Sequence, residues 1–144
     1  MTRQDTIRPL LLATAMTLGA EAVYLVVWGL LLFPEGSIAA KFAWAAICGL
    51  GMGMTIGGLT LVMVSGRLEG GRAFIWSVAI FSLVGVICTL LCATLDAKLA
   101  LFGGPKWQGL FLVSGILPAI FAGFFYAWSL WRPAGRLFLL RFGL

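Results

Sequence analysis

Histidine is absent from all 144 residues, and that absence removes a large part of the usual chemistry. Without an imidazole the chain supplies no common axial ligand to haem and no nitrogen ligand to copper, zinc or a chlorophyll magnesium. Ser-His-Asp and Cys-His arrangements are equally impossible. Charge is scarce too: Asp, Glu, Lys and Arg make up 10% of the chain, against roughly 25% in soluble domains. Of the acidic residues, Asp5, Glu35, Glu69 and Asp96 fall in expected tails or turns, which leaves Glu21 without a partner for paired-carboxylate catalysis. A phosphate-binding fingerprint is missing, because the glycine-rich stretch at 49–58 has no preceding strand. The expectation is a protein that is not an enzyme and that carries neither cofactor nor metal.

What the chain has in abundance is apolar surface. Hydrophobic residues reach 62% and the mean hydropathy is +1.08. A chain this short cannot bury so much apolar area inside itself, so lipid must cover the remainder. Four apolar runs are separated by polar breaks, at about residues 9–33, 38–65, 73–94 and 108–131, each long enough for the ~20 residues a membrane helix needs. The pattern predicts one all-α membrane domain over residues 1–144, an antiparallel bundle of four transmembrane helices. Arg3 and Arg8 ahead of the first run resemble the start of a signal peptide, with Ser37, Ala39 and Ala40 behind it, but the run is too long for a cleavable h-region and is expected to be a span. Lys41, near the start of the second run, is expected to snorkel to the headgroups.

Basic residues orient the bundle. Arg3, Arg8, Arg67, Arg72, Arg132, Arg136 and Arg141 all fall on one side of the expected spans, whereas Lys41, Lys98 and Lys106 fall on the other. The positive-inside rule then predicts both termini in the cytoplasm, with a bacterial inner membrane as the expected setting. Because these charges sit in short pieces between apolar runs, the net charge of +5 marks topology and not nucleic-acid binding. The tail at 132–144 mixes arginine with bulky apolar residues and fits either an interfacial segment on anionic lipid or the frayed end of the last helix. Leu99–Phe102 with Trp107 is expected to lie at the outer interface, and the other aromatics to face lipid or to form the interfacial belts.

Small residues recur every fourth position in three of the runs. Ala45, Gly49, Gly53 and Gly57 form a ridge on the second; Gly115, Ala119, Gly123 and Ala127 repeat it on the fourth; Ser77, Gly85, Thr89 and Ala93 share the register on the third. Such faces let backbones approach closely in lipid, either within the bundle or at a seam with another subunit or a second copy. Gly51 and Gly58 form an adjacent strip. Cys48, Cys88 and Cys92 lie inside apolar runs and read as buried free thiols. Pro118 interrupts the fourth run and is expected to kink it.

Glu21 is the one ionisable residue near the centre of a run. A charge there is costly, so the carboxyl is expected to pair or to keep its proton. Thr17, Glu21, Tyr24 and Trp28 follow at intervals of four, three and four, which places a hydroxyl, a carboxyl, a phenol and an indole on one helical face as a candidate proton or ligand path. A glutamate in the first of four short helices resembles the small multidrug resistance transporters, and the resemblance implies exchange of protons for cationic drugs at Glu21. The likeness is confined to that residue: this chain is longer, its arginine bias exceeds that of a dual-topology dimer, and no further motif matches. Two readings follow. One is a non-catalytic accessory subunit that packs through its small-residue faces within a larger membrane complex. The alternative is a small proton-coupled transporter or channel built around Glu21.

Overall fold

The computed structural model describes residues 3–141 and 143; Phe142 and Leu144 of the tail, and the side chains of Arg3, Gln4, Asp5 and Thr6, lie outside that description. All regular structure among the described residues is helical: α1 at Arg3–Tyr24 continuing as a π-helix at Leu25–Leu32, α2 at Ile38–Met63, α3 at Gly70–Leu99, a 3-10 turn at Pro105–Trp107, α4 at Gln108–Trp131 and α5 at Pro133–Leu140. Four of these stretches, Ile7–Leu32, Ile38–Met63, Gly70–Leu99 and Pro105–Trp131, are long and apolar enough to cross a membrane. Their outward faces carry Leu31, Ile47, Ile75, Leu83 and Phe121, all more than half exposed. Such surface is stable only with hydrocarbon as its solvent, where helices satisfy their own backbone groups.

Two tight hairpins make the bundle. The α2 ridge meets α1 with the contact running in opposite directions: a methyl group on Gly49 would lie 2.9 Å from the Leu18 side chain, one on Gly57 would lie 2.6 Å from the Leu10 Cα, and one on Gly53 would overlap the Thr14 backbone. Thr17 seals the seam by donating its hydroxyl to the Gly49 carbonyl at 2.6 Å. In the second hairpin a methyl on Gly115 would lie 2.5 Å from Thr89, one on Gly85 would lie 2.6 Å from the Ala119 Cβ, and one on Gly123 would lie 2.7 Å from the Ser82 Oγ. Each small-residue ridge is thus filled by its own hairpin neighbour. Between the hairpins contact is sparser, carried chiefly by α2 against α3, with α1 meeting α4 at fewer points.

One end of the bundle is pinned by Tyr126 of α4, fully buried, whose hydroxyl donates to the Pro9 carbonyl at 3.2 Å with the Thr60 hydroxyl 3.1 Å away. There α5 folds back on α4. Its turn at Arg132 has extended backbone (φ −101°, ψ 140°), a methyl on Gly135 would overlap the Trp128 carbonyl, Leu139 is buried, and the Arg136 Nε donates to the Leu130 carbonyl at 2.7 Å. Over the described residues the basic tail is therefore a separate helix, not a frayed end of α4. α4 itself runs helical through Pro118.

Three expectations fail at the opposite end. Helix α3 extends from Gly70 to Leu99, beyond the expected 73–94, so Asp96 sits in its last turn and not in a loop. The Asp96 carboxylate is buried and accepts from the backbone N–H groups of Phe102 at 2.8 Å and Gly104 at 2.9 Å, which folds the connection inward and ends the helix at Ala100 in left-handed conformation (φ 52°). Phe102 is therefore 1% exposed and packed inward, while Leu99 and Trp107 beside it are exposed. Lys41 does not snorkel. It is fully buried, and its ammonium donates to the carbonyls of Gly29 at 2.8 Å, Glu35 at 2.6 Å and Phe33. All three ammonium protons are used on carbonyls that the end of the first span leaves open, where the helix dipole favours a cation.

Candidate functional site

Because the hairpins close on themselves, space remains between them. A crevice of about 430 Å³ lies between α1 and α4, floored by Met52 and Ile56 of α2 and by Phe81, Gly85 and Thr89 of α3. Its α4 wall is made of Ser114, Gly115, Pro118, Ala119 and Ala122, so the small residues that admit α3 on one side also leave room on the other. All four residues of the candidate path, Thr17, Glu21, Tyr24 and Trp28, line it. A smaller cavity of about 50 Å³ adjoins it, sharing Glu21, Tyr24, Met52, Thr89 and Gly115 and adding Trp44, Cys88, Cys92 and Phe111.

These four residues do different work. Thr17 is spent on the α1–α2 seam. Tyr24 and Trp28 stack on each other, ring centroids 5.5 Å apart and planes 13° apart. Both belong to an aromatic cluster in which Phe111 meets Tyr24 at 5.3 Å, Phe102 meets Tyr24 at 5.8 Å, Phe33 meets Trp28 at 5.5 Å and Trp44 meets Phe102 at 5.5 Å. Aromatics expected at lipid or in belts thus close one end of the crevice. Glu21 is the only carboxyl among the lining residues, and neither cavity is lined by a lysine or arginine.

The π-helix at Leu25–Leu32 brings this cluster into place. Its final bond runs from the Phe33 N–H to the Trp28 carbonyl at 2.9 Å, five residues back, and such insertions re-aim side chains at functional sites. Gly29 within it packs against Phe102, Leu25 and the Lys41 stem, a methyl there lying 3.1 to 3.4 Å from each. The sequence carries two readable traces of this arrangement, the first a glycine one turn before the end of the first apolar run. Gly103 is the other: at φ 101° it adopts a conformation natural to glycine, and a methyl would lie 2.7 Å from Phe33 and 2.9 Å from Trp107. The burial of Lys41 and Asp96 has no local signature, since both lie at the edges of apolar runs where exposed residues normally sit.

Chemically, the crevice offers an apolar, aromatic-capped chamber with one acidic group at mid-span, suited to an apolar body bearing one cationic or hydrogen-bond-donating group. No family model, curated protein or solved structure matches this chain. The chain is a small membrane protein of four apolar spans.

Proposed function

We propose that this protein is a small proton-coupled transporter of amphiphilic cations, with the crevice as binding chamber and Glu21 as coupling carboxyl. The observation that carries the reading is the coincidence of the only mid-span carboxyl among the described residues with a chamber of about 430 Å³ between two hairpins that pack more densely within themselves than against each other. An apolar cation displaces the carboxyl proton on entry, and a returning proton displaces the cation, so one group serves both partners in turn. Opening between α1 and α4 would part Tyr126 from Pro9 and Phe111 from Tyr24 and Trp28 while leaving both glycine seams closed, so that each hairpin moves as a unit. The test is uptake of tetraphenylphosphonium into proteoliposomes under an imposed pH gradient. Wild type is expected to accumulate the probe against its gradient, with binding in detergent weakening as pH falls because protons compete for the same carboxyl. Glu21→Gln should keep the folded state, since the amide reproduces the neutral carboxyl's shape, and lose the coupled flux. Flux of equal size in the Gln variant would end this reading.

The accessory-subunit reading keeps a narrower footing. The ridges at Gly49, Gly53, Gly57, Gly115, Ala119 and Gly123 are occupied inside the chain, but nothing lies within 4 Å of a methyl built on Gly51 or Gly58. That outward strip of α2 is the face on which another subunit or a second copy would pack. Mild-detergent purification with mass spectrometry of co-purifying chains separates the two: an unrelated stoichiometric partner, released by Gly51→Leu, would favour this second reading.

A further inference from the structure

Three cysteines that are far apart in sequence converge where the hairpins meet. Cys48 comes from α2, Cys88 and Cys92 from successive turns of α3. The Cys48 and Cys92 Sγ atoms lie 3.5 Å apart, those of Cys88 and Cys92 3.9 Å apart, and all three fall within 4.8 Å of one another. Cys92 is buried and the other two are half-buried. A thiol is a weak donor and a weak acceptor, so mutual facing contributes little to packing that a leucine or alanine would not supply. Three sulfurs bound to one ion at about 2.3 Å stand about 3.8 to 4.0 Å from each other in tetrahedral or trigonal geometry. The observed spacing lies within a few tenths of an ångström of that for two pairs, and the third, at no more than 4.8 Å, needs to close by about 1 Å at most.

A second observation points to a ligand. A cavity of about 50 Å³ beside the thiols is lined by Cys88, Cys92 and Met52 together with Glu21, Tyr24 and Thr89, with Cys48 reaching it through Cys92 at 3.5 Å, and it is large enough for one small ion or water. The donors that cluster at its edge are the three thiols, whose sulfurs all fall within 4.8 Å of one another. Sulfur donors select soft ions, and a three-sulfur set suits the low coordination of a monovalent ion better than the four ligands zinc takes in structural sites. We propose that Cys48, Cys88 and Cys92 form an intramembrane site for a soft thiophilic ion of the Cu(I) type. No electron changes hands: Cu(I) enters and stays Cu(I), each thiol that ligates as thiolate exchanges its S–H bond for a Cu–S bond, and its proton leaves to the buffer. The site goes beyond the transport reading and stands without it, since it needs no flux and no role for Glu21.

The experiment is anaerobic titration of the full-length, reduced protein in detergent with Cu(I) held by a chromogenic chelator, followed by X-ray absorption at the copper edge. One Cu(I) per chain, withdrawn from the chelator into a sulfur-only shell, is the expected result. Cys48→Ser and Cys92→Ser should each abolish stoichiometric binding, and Cys48→Ser, whose side chain lines neither cavity, should keep tetraphenylphosphonium uptake, which keeps failure of this site distinct from failure of the transport reading. Elution position and circular dichroism identify any variant that does not fold; the absorption spectrum of the wild type needs no variant. Copper retained by the triple serine variant, oxygen or nitrogen in the first shell, no copper withdrawn by the reduced wild type, or preference for Zn(II) with an oxygen ligand would each overturn the proposal.

Discussion

Among the described residues Lys41 and Asp96 are the two buried charges, and Lys41 holds the larger number of partners. Its ammonium closes the turn at Pro34–Ser37 by serving three carbonyls at once, in the same corner where Ser37 caps α2 by accepting from the Ala40 N–H at 3.2 Å. Lys41→Met preserves the stem against Gly29 and removes every donor. The expected loss is about 1–3 kcal/mol for each buried carbonyl left without a partner or water, seen as a lower unfolding midpoint in detergent. Because the Trp28, Trp44 and Trp107 rings belong to the adjoining cluster, their fluorescence should shift with it. An unchanged midpoint would mean that water replaces the ammonium. Lys106, exposed in the 3-10 turn, is the control, with an expected effect close to zero.

At the scale of the elements, the decisive property is how closely two helices approach. Gly53 has no room for even one methyl, because its Cβ position overlaps the Thr14 backbone and lies 2.7 Å from the Thr17 hydroxyl that holds the Gly49 carbonyl. Gly53→Ala is therefore expected to destabilise the α1–α2 hairpin by about 1–3 kcal/mol, and Gly53→Leu to prevent its closure. Leu50, three residues earlier and 45% exposed, faces outward, and Leu50→Phe should change the midpoint little. Equal tolerance at the two positions, measured by thermal unfolding in the same detergent, would show that the hairpin is not closed along this ridge. The π-helix belongs to this scale as well: eight residues read as ordinary transmembrane helix are wound more widely, and the widening positions Gly29 and Trp28 where α2 and the cluster need them.

For the whole molecule the arginine distribution makes a prediction about orientation. Arg8 and Arg136 line one cavity with Ser65 and Gly66, while Lys41, Lys98 and Lys106 belong to the other end. The positive-inside rule assigns the arginine end to the cytoplasm. In a cysteine-free background, single cysteines at Ser37 and Lys106 should react with an impermeant thiol reagent added outside intact cells, and one at Glu69 only after permeabilisation. All three positions are exposed, whereas Gly104 is buried, has φ 68° and is braced on Asp96, which makes it a poor probe site. The inverse labelling pattern would reverse the assignment.

Composition alone settled the solvent of this chain, and hydropathy settled the number of its spans, because lipid tolerates only long apolar helices and the breaks between them are polar. Four-residue spacing of glycine and alanine was enough to find the faces that meet, since a helix repeats its face on that period. The common face of Thr17, Glu21, Tyr24 and Trp28 was legible for the same reason. Which helix fills which ridge was not, because a small-residue face accepts any backbone of the right shape, and only the assembled hairpins distribute α1 to α2 and α3 to α4. The tertiary structure also decided the fates of Lys41, Asp96 and the three cysteines. A buried lysine needs carbonyls from residues up to twelve positions away, and the thiols of Cys48 and Cys92 meet across forty-four; no local pattern encodes a contact made by two chain segments that only the fold brings together.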